Sequence, residues 1–108
     1  MYRGKSRVLV AFTPSATDPQ LDRQRRLYHD MGRGARERDL VLVEAAGSSA
    51  AAAALQRRFD VGAGFTALLI GKDGGEKLRS DTPVGSAELF PLIDSMPMRQ
   101  QEMRKETD

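Results

Sequence analysis

The chain has 108 residues, of which 40% are hydrophobic and 30% charged, and its formal net charge is +2. This size suits one domain with a modest core, and no apolar run approaches the roughly 20 residues that cross a bilayer, so we expect no membrane partner. The chain contains no cysteine and a single histidine, His29, which excludes disulfides, thiolate nucleophiles, zinc–thiolate sites and a two-histidine metal site.

The first predicted element is a strand over residues 8–12, a continuous apolar run typical of strands buried on both faces of a sheet. A helix is predicted to follow it. Thr17 or Asp18 can cap the start of this helix, and Pro19 fits its first turn. Gly32 and Gly34 weaken the last turns, so the helix is predicted to fray or break there.

A second buried strand is predicted over residues 40–43, followed by an alanine-rich helix over residues 50–59. The segment FTALLIGKDGGEKLR, from Phe65 to Arg79, then combines an apolar strand, a glycine-rich reversal and a shorter alternating strand. Paired glycines supply the positive φ angles of a tight turn, so this segment predicts a β-hairpin.

A third helix is predicted to begin near Ser86 and to end at Pro97. Pro91 lies inside it and predicts a kink or a late helix start, because proline removes a hydrogen-bond donor and crowds the preceding turn. Residues 98–108 are predicted to form a polar C-terminal tail that is helical at best when docked. We therefore expect a single domain over residues 1–97, with the tail beyond it.

The predicted order of elements is β-α-β-α-β-β-α. Two parallel strands need a crossover helix, whereas a tight hairpin makes the last two strands antiparallel. The sequence therefore predicts an α/β fold with three layers, in which a four-stranded mixed sheet carries helices on both faces.

This order resembles the minimal thioredoxin fold, and residues 59–74 resemble the approach of thioredoxins to their third strand. The chain is more closely similar to the thioredoxin-like domain of unknown function 4174, a family found in bacterial proteins and in some sushi-repeat and matrix-associated animal proteins. The resemblance covers nearly the whole chain. The segments that carry it are Tyr2-Arg3 with Lys5 and Arg7, Phe12 to Ser15, Arg38 to Leu40, Gly71 to Val84, and Leu89 to Met103.

The chain departs from working thioredoxins at the positions that carry their chemistry. Their redox cysteines lie in the loop after the first strand, which is Thr13 to Asp18 here and holds no sulfur. Their cis-proline aligns with Phe65. Dithiol oxidoreductase and peroxidase activity both need a thiolate and are therefore excluded. The resemblance implies a non-catalytic binding or interaction module without a cofactor.

The loop from Thr13 to Asp18 is the best candidate for a binding site. In open α/β sheets, ligands favour the carboxyl ends of strands, and the free N–H groups of the next helix attract anions. We expect a protein, a peptide or a small anion as the ligand. In the alternative interpretation, which we favour for the loop itself, Thr17 and Asp18 only cap the helix and Pro14 shapes the turn. The candidate binding residues are Thr13, Pro14, Ser15, Thr17, Arg23 and Phe65.

Two further functions and a second binding mode are weighed against this one. Residues 1–38 carry nine Lys/Arg and four Asp/Glu, which hints at an anionic partner such as a nucleic acid, but a solvated helix surface explains the pattern better. A cysteine-independent enzyme would have to use the loop hydroxyls, Asp18, Arg23 or His29, among which no nucleophile–base pair is readable. The strand edge from Lys77 to Ser80 offers β-augmentation by a partner strand.

The compartment stays undetermined from sequence. No leader is present as written, which predicts a cytoplasmic protein, whereas an exported protein is expected if Met1 does not mark the native start and a signal peptide was removed.

Overall fold

The computed structural model describes residues 4–107, with side chains for residues 4–105. Met1, Tyr2 and Arg3, including two residues of the family resemblance, lie outside the described residues. The elements in chain order are β1 (Arg7–Thr13), α1 (Pro19–Met31), α2 (Arg33–Glu37), β2 (Leu40–Ala46), α3 (Ala50–Phe59), β3 (Thr66–Ile70), β4 (Glu76–Ser80), α4 (Ser86–Asp94) and α5 (Pro97–Thr107).

The four strands form one mixed sheet in the order β2-β1-β3-β4. Strand β1 pairs in parallel with β2 and antiparallel with β3, and β3 pairs antiparallel with β4. The predicted α/β fold with a four-stranded mixed sheet is therefore confirmed. The register places Thr13 opposite Ala46 and Phe12 opposite Thr66, so the ends of β1 and β2 meet the start of β3 at one edge.

The core consists of two layers of apolar side chains, one on each face of the sheet. On one face, Leu21 of α1 packs with Leu89 and Ile93 of α4, and all three are fully buried. On the other face, Ala52 of α3 packs with side chains of β1 and β3. Every residue of β1 is buried, both the apolar run over residues 8–12 and the polar ends Arg7 and Thr13. Helices therefore cover both faces, as predicted.

The predicted weak point of the first helix is confirmed. Helix α1 ends at Met31, and α2 begins two residues later. Gly32 lies between them with a φ of 52°, in the region that favours glycine, and its N–H donates to the carbonyl of His29. The predicted hairpin is also present, with Gly74 at a φ of 84° in the turn between β3 and β4.

The predicted start of the third helix near Ser86 is confirmed, whereas its end lies earlier than predicted. Helix α4 begins at Ser86 with Pro91 inside it, so the helix start is not late. It ends at Asp94, and Pro97 then begins the new helix α5 where the sequence predicted a polar tail. Proline is well tolerated at the first position of a helix, because the N–H that it lacks has no partner there anyway.

Helix α5 is held against the sheet by ion pairs that we name the Glu102 cluster, formed by Arg7, Asp39, Lys72 and Glu102. The two terminal nitrogens of Arg7 donate to the two oxygens of Glu102 at 3.2 Å each. Lys72 donates to Glu102 at 2.7 Å and to Asp39 at 2.8 Å. The Arg7 side chain is 1% exposed and that of Glu102 is 25% exposed. The expected tail is therefore docked through charged side chains.

A second ion pair group joins α5 to the preceding helices. Asp94 at the end of α4 accepts from Arg38 at 2.8 Å and 3.0 Å and from Arg99 at 3.1 Å. The hydrogen bond from Arg38 lowers the pKa of Asp94, and burial opposes it. Burial acts most strongly on Glu102 and tends to raise its pKa, but the hydrogen bonds from Lys72 and Arg7 outweigh it, so the pKa is lowered.

Acid is expected to destabilise the domain through these two carboxylates. A carboxylate whose pKa is lower in the folded state stabilises fully above its unfolded pKa and loses that contribution as pH falls through the folded value. The free energy of unfolding should therefore stay constant from pH 7 to about pH 5. It should decline below the ordinary carboxyl pKa of about 4. Urea titrations at pH 7, 5 and 3 measure this, and Asp94→Asn should show a smaller decline than the wild type. Parallel declines in the two proteins would contradict the assignment to Asp94.

Candidate functional site

The carboxyl edge of the sheet brings together three loops that are far apart in sequence. They are residues 14–18 after β1, residues 47–49 after β2, and residues 60–65 before β3. The N–H of Gly47 donates to the carbonyl of Thr13 at 2.9 Å, which ties the first two loops together. This edge is where open α/β folds place their ligands.

The loop after β1 is closed by its own hydrogen bonds. The Thr13 hydroxyl donates to one oxygen of Asp18 at 2.8 Å, and the other oxygen accepts from the N–H of Gln20 at 2.9 Å. The N–H of Thr17 donates to the hydroxyl of Ser15 at 3.2 Å, and the N–H of Asp18 donates to the carbonyl of Ser15 at 3.1 Å. Asp18 therefore caps α1, and the amides that were considered for an anion already have partners.

The six predicted binding residues occupy different environments. Thr13 and Phe65 come to the same edge, but both are buried, and Phe65 packs in the core beside α1 and α4. Pro14, Ser15 and Thr17 are exposed on the loop. Arg23 is exposed on α1 and lies outside the cavity that opens at this edge.

That cavity, which we call the edge cleft, has a volume of about 530 Å³. It lies beside α3, between the loops after β1 and β2 and the chain that returns from α3 to β3. Of the residues predicted from sequence, only Pro14 lines it. The lining residues are Pro14, Gly47, Ser48, Gln56, Val61, Gly62 and Ala63.

The edge cleft is neutral and offers hydrogen-bonding groups. No charged side chain lines it. The Ser48 hydroxyl and the side-chain amide of Gln56 make no hydrogen bond to other described residues. The backbone N–H and C=O groups of Gly62 and Ala63 are also without partners among residues 4–107. Free backbone groups in a neutral, open groove match the pattern of an extended peptide, whose own backbone offers complementary groups.

Sequence reasoning identified residues 61–64 as a flexible connection but did not assign them to a site. Their composition, Val-Gly-Ala-Gly, carries no chemistry that a motif search would select. The resemblance did offer a weaker indication of a site, because this loop corresponds to the one that carries the cis-proline in thioredoxins. Only the register between Phe12 and Thr66 shows that it faces Pro14.

At the other candidate sites, several charged side chains pair within the chain, while β4 remains an edge strand of the sheet. At the β4 edge, Arg79 pairs with Glu76 and donates to the carbonyls of Phe59 and Asp60, while Lys77 pairs with Asp73. His29 is exposed in the last turn of α1. The described part of the chain holds no group of three or more residues that could bind a metal ion.

The charge of the arginine-rich first third is partly neutralised by neighbouring carboxylates. Arg25 donates twice to Glu44 at 2.7 Å, and Arg26 pairs with Asp22 at 3.0 Å. The hydrogen bond to Arg25 lowers the pKa of Glu44. These pairs break up the positive surface that a phosphate backbone would need.

Comparison with known proteins agrees with this architecture. Residues 1–102 match the family described as "Domain of unknown function (DUF4174)". A solved structure described as "Structure of a malarial protein" is similar with a TM-score of 0.60 and 18% sequence identity, over 83% of this chain and 96% of that one. No curated protein sequence matches the chain. None of the helices in the described residues is both long and apolar enough to span a membrane.

Proposed function

This chain belongs to the DUF4174 family, and from that premise we propose that it is a non-catalytic module that binds an extended peptide segment of a partner protein in the edge cleft. The observation that carries the proposal is the set of unpaired backbone groups at Gly62 and Ala63 within a neutral, open groove. A peptide in extended conformation can pair with such groups without any particular side chain.

The module is proposed to be non-catalytic because of the chemistry of the side chains at the site. The sequence has no thiolate, and the exposed hydroxyl of Ser15 lies 2.9 Å from that of Thr17, which is no base. His29 lies about 15 Å away along α1, given the rise of 1.5 Å per residue. A nucleophile needs a base within hydrogen-bond distance and access to a substrate. The Thr13 hydroxyl does meet the Asp18 carboxylate, but Thr13 is buried, and the exposed Ser15 hydroxyl bonds to a hydroxyl instead of a base.

The neutral lining also favours a peptide over a small anion or a nucleic acid. An anion would be held by free N–H groups or by unpaired cations, whereas the amides of Thr17 and Gln20 are bonded within the chain and no arginine lines the edge cleft. A peptide needs neither of these. We therefore place the ligand beside residues 61–63 rather than on the hydroxyls of the loop after β1.

A peptide array probed with the purified domain tests this proposal. Peptides selected from the array are titrated into isotope-labelled protein, and their largest chemical-shift changes are expected at Ser48, Gln56 and residues 61–63. Ala63→Trp should lower the affinity at least about tenfold, because the indole fills the edge cleft and tenfold corresponds to about 1.4 kcal/mol.

The matched control is Ala16→Trp, which adds the same side chain to an exposed position of the same edge outside the cleft lining. Its affinity should remain within about twofold of the wild type. Loss of binding in Ala16→Trp with none in Ala63→Trp would place the ligand on the loop after β1 and contradict the proposal. So would an array that yields no peptide perturbing the cleft residues.

A further inference from the structure

A second cavity lies at the opposite end of the sheet from the edge cleft. It opens between α3 and the sheet near the turn that joins β3 to β4, and its volume is about 250 Å³. Its walls are formed mainly by apolar side chains. Those side chains are Val8, Val10, Val43, Leu55, Phe59 and Ile70.

The cavity exists because one short helix covers this face. Helix α3 has ten residues, of which Leu55, Arg58 and Phe59 line the cavity. On the other face, α1 and α4 contribute the large side chains of Leu21, Leu89 and Ile93. The cavity is therefore open to solvent at the surface, where Val43, Leu55, Phe59 and Ile70 remain partly exposed.

Among the residues that line this cavity, one carries a positive charge and none carries a carboxylate. Arg58 is exposed at the last turn of α3, and its guanidinium lies 5.1 Å from the centre of the Phe59 ring. Within residues 4–107 it forms no ion pair, unlike Arg25, Arg38 and Arg79. An apolar cavity with an available cation at its rim is complementary to a molecule with an alkyl body and an anionic head.

We propose that this cavity binds a small amphipathic anion, specifically a free linear alkyl carboxylate of short to medium length. The alkyl chain lies among the valines and Leu55, and the carboxylate pairs with Arg58 at the rim. The cavity volume sets the size class, because cavities of about 150 Å³ lined by Leu, Ile and Phe already bind a molecule as large as benzene. This site is separate from the peptide-binding edge cleft and does not depend on it.

Titration of the domain with hexanoate, octanoate and 1-octanol, followed by nuclear magnetic resonance, tests the proposal. Octanoate should bind about 15-fold more tightly than hexanoate, because each buried methylene contributes about 0.8 kcal/mol, or about fourfold. Octanol should bind about three- to fivefold more weakly than octanoate, since an exposed ion pair contributes up to about 1 kcal/mol. The shifted resonances should be those of Val10, Val43, Leu55 and Ile70.

Adjacent arginines provide the matched variants. Arg58→Gln should weaken octanoate binding about three- to fivefold and leave octanol unchanged, and Arg58→Lys should restore most of the loss. Arg57→Gln should have no effect, because Arg57 is exposed on the same turn but does not line the cavity. Leu55→Trp should abolish binding by filling the cavity, whereas Ala54→Trp, at an exposed neighbouring position, should not.

Several results would overturn the proposal. Equal affinity for hexanoate and octanoate would show that no alkyl chain is buried. Equal losses in Arg57→Gln and Arg58→Gln would show only nonspecific attraction to the end of α3. Octanoate binding that survives Leu55→Trp in a folded protein would place the ligand elsewhere.

Discussion

Replacing Gln24 by leucine is expected to lower the free energy of unfolding by about 2–6 kcal/mol. Gln24 lies on α1 and is fully buried. Its side-chain nitrogen donates to the carbonyl of Val84 at 2.8 Å, and its side-chain oxygen accepts from the N–H of the same residue at 2.8 Å. Leucine has a similar volume but would leave both of these buried backbone groups unpaired, each at a cost of about 1–3 kcal/mol.

The matched control for this variant is Gln20→Leu, one turn earlier on the same helix and exposed to solvent. Its unfolding free energy should lie within about 0.5 kcal/mol of the wild type. Urea titration monitored by circular dichroism compares the three proteins. A Gln24→Leu protein as stable as Gln20→Leu would show that the segment before α4 does not depend on this pair of hydrogen bonds.

Replacing Glu102 by glutamine is expected to destabilise the fold by about 3 kcal/mol, the lower end of the range for breaking one partner of a buried ion pair. Arg7 is 1% exposed and would lose the carboxylate that neutralises it. Lys72, whose side chain is 9% exposed, would keep only Asp39. Helix α5 should be released first, because Glu102 is the side chain that joins it to β1.

Two comparisons isolate this effect. Asp22→Asn removes an ion pair whose side chains are 58% and 69% exposed, and should cost at most about 1 kcal/mol. The double variant Arg7→Met with Glu102→Leu removes both charges together and should be more stable than Glu102→Gln alone, because no uncompensated charge is then buried. Unfolding midpoints in urea measure all three. A Glu102→Gln protein indistinguishable from Asp22→Asn would contradict a structural role for the Glu102 cluster.

The strands and the hairpin could be read from sequence because their signals are local. The apolar runs at residues 8–12 and 40–43 need burial on both faces, and the glycine pair before Glu76 needs a turn. The break at Gly32 is local in the same sense. Each of these elements appeared where it was predicted, to within a few residues.

The end of the chain was predicted less well because its structure depends on distant partners. Residues 98–105 are polar except for Met98 and Met103, and their own sequence does not predict which side chains are buried. Glu102 acquires its role from Arg7, which lies 95 positions earlier in the chain. Gln24 was missed for the same reason, since its partner Val84 lies 60 positions later. A glutamine on a charged helix is ordinarily a surface residue.

The amino-acid sequence alone determined the order of the four strands and of the helices between them, the family resemblance and the absence of thiol chemistry. These follow from residue types and short-range periodicity, which need no knowledge of how the elements pack. Only the tertiary structure decided that the hydroxyls of Ser15 and Thr17 bond to one another, that residues 61–63 face Pro14 in an open cleft, and that α3 leaves an apolar cavity near Arg58. The physical reason is that cavities and long-range hydrogen bonds depend on the register of the strands and the volume of facing side chains, which no local pattern encodes.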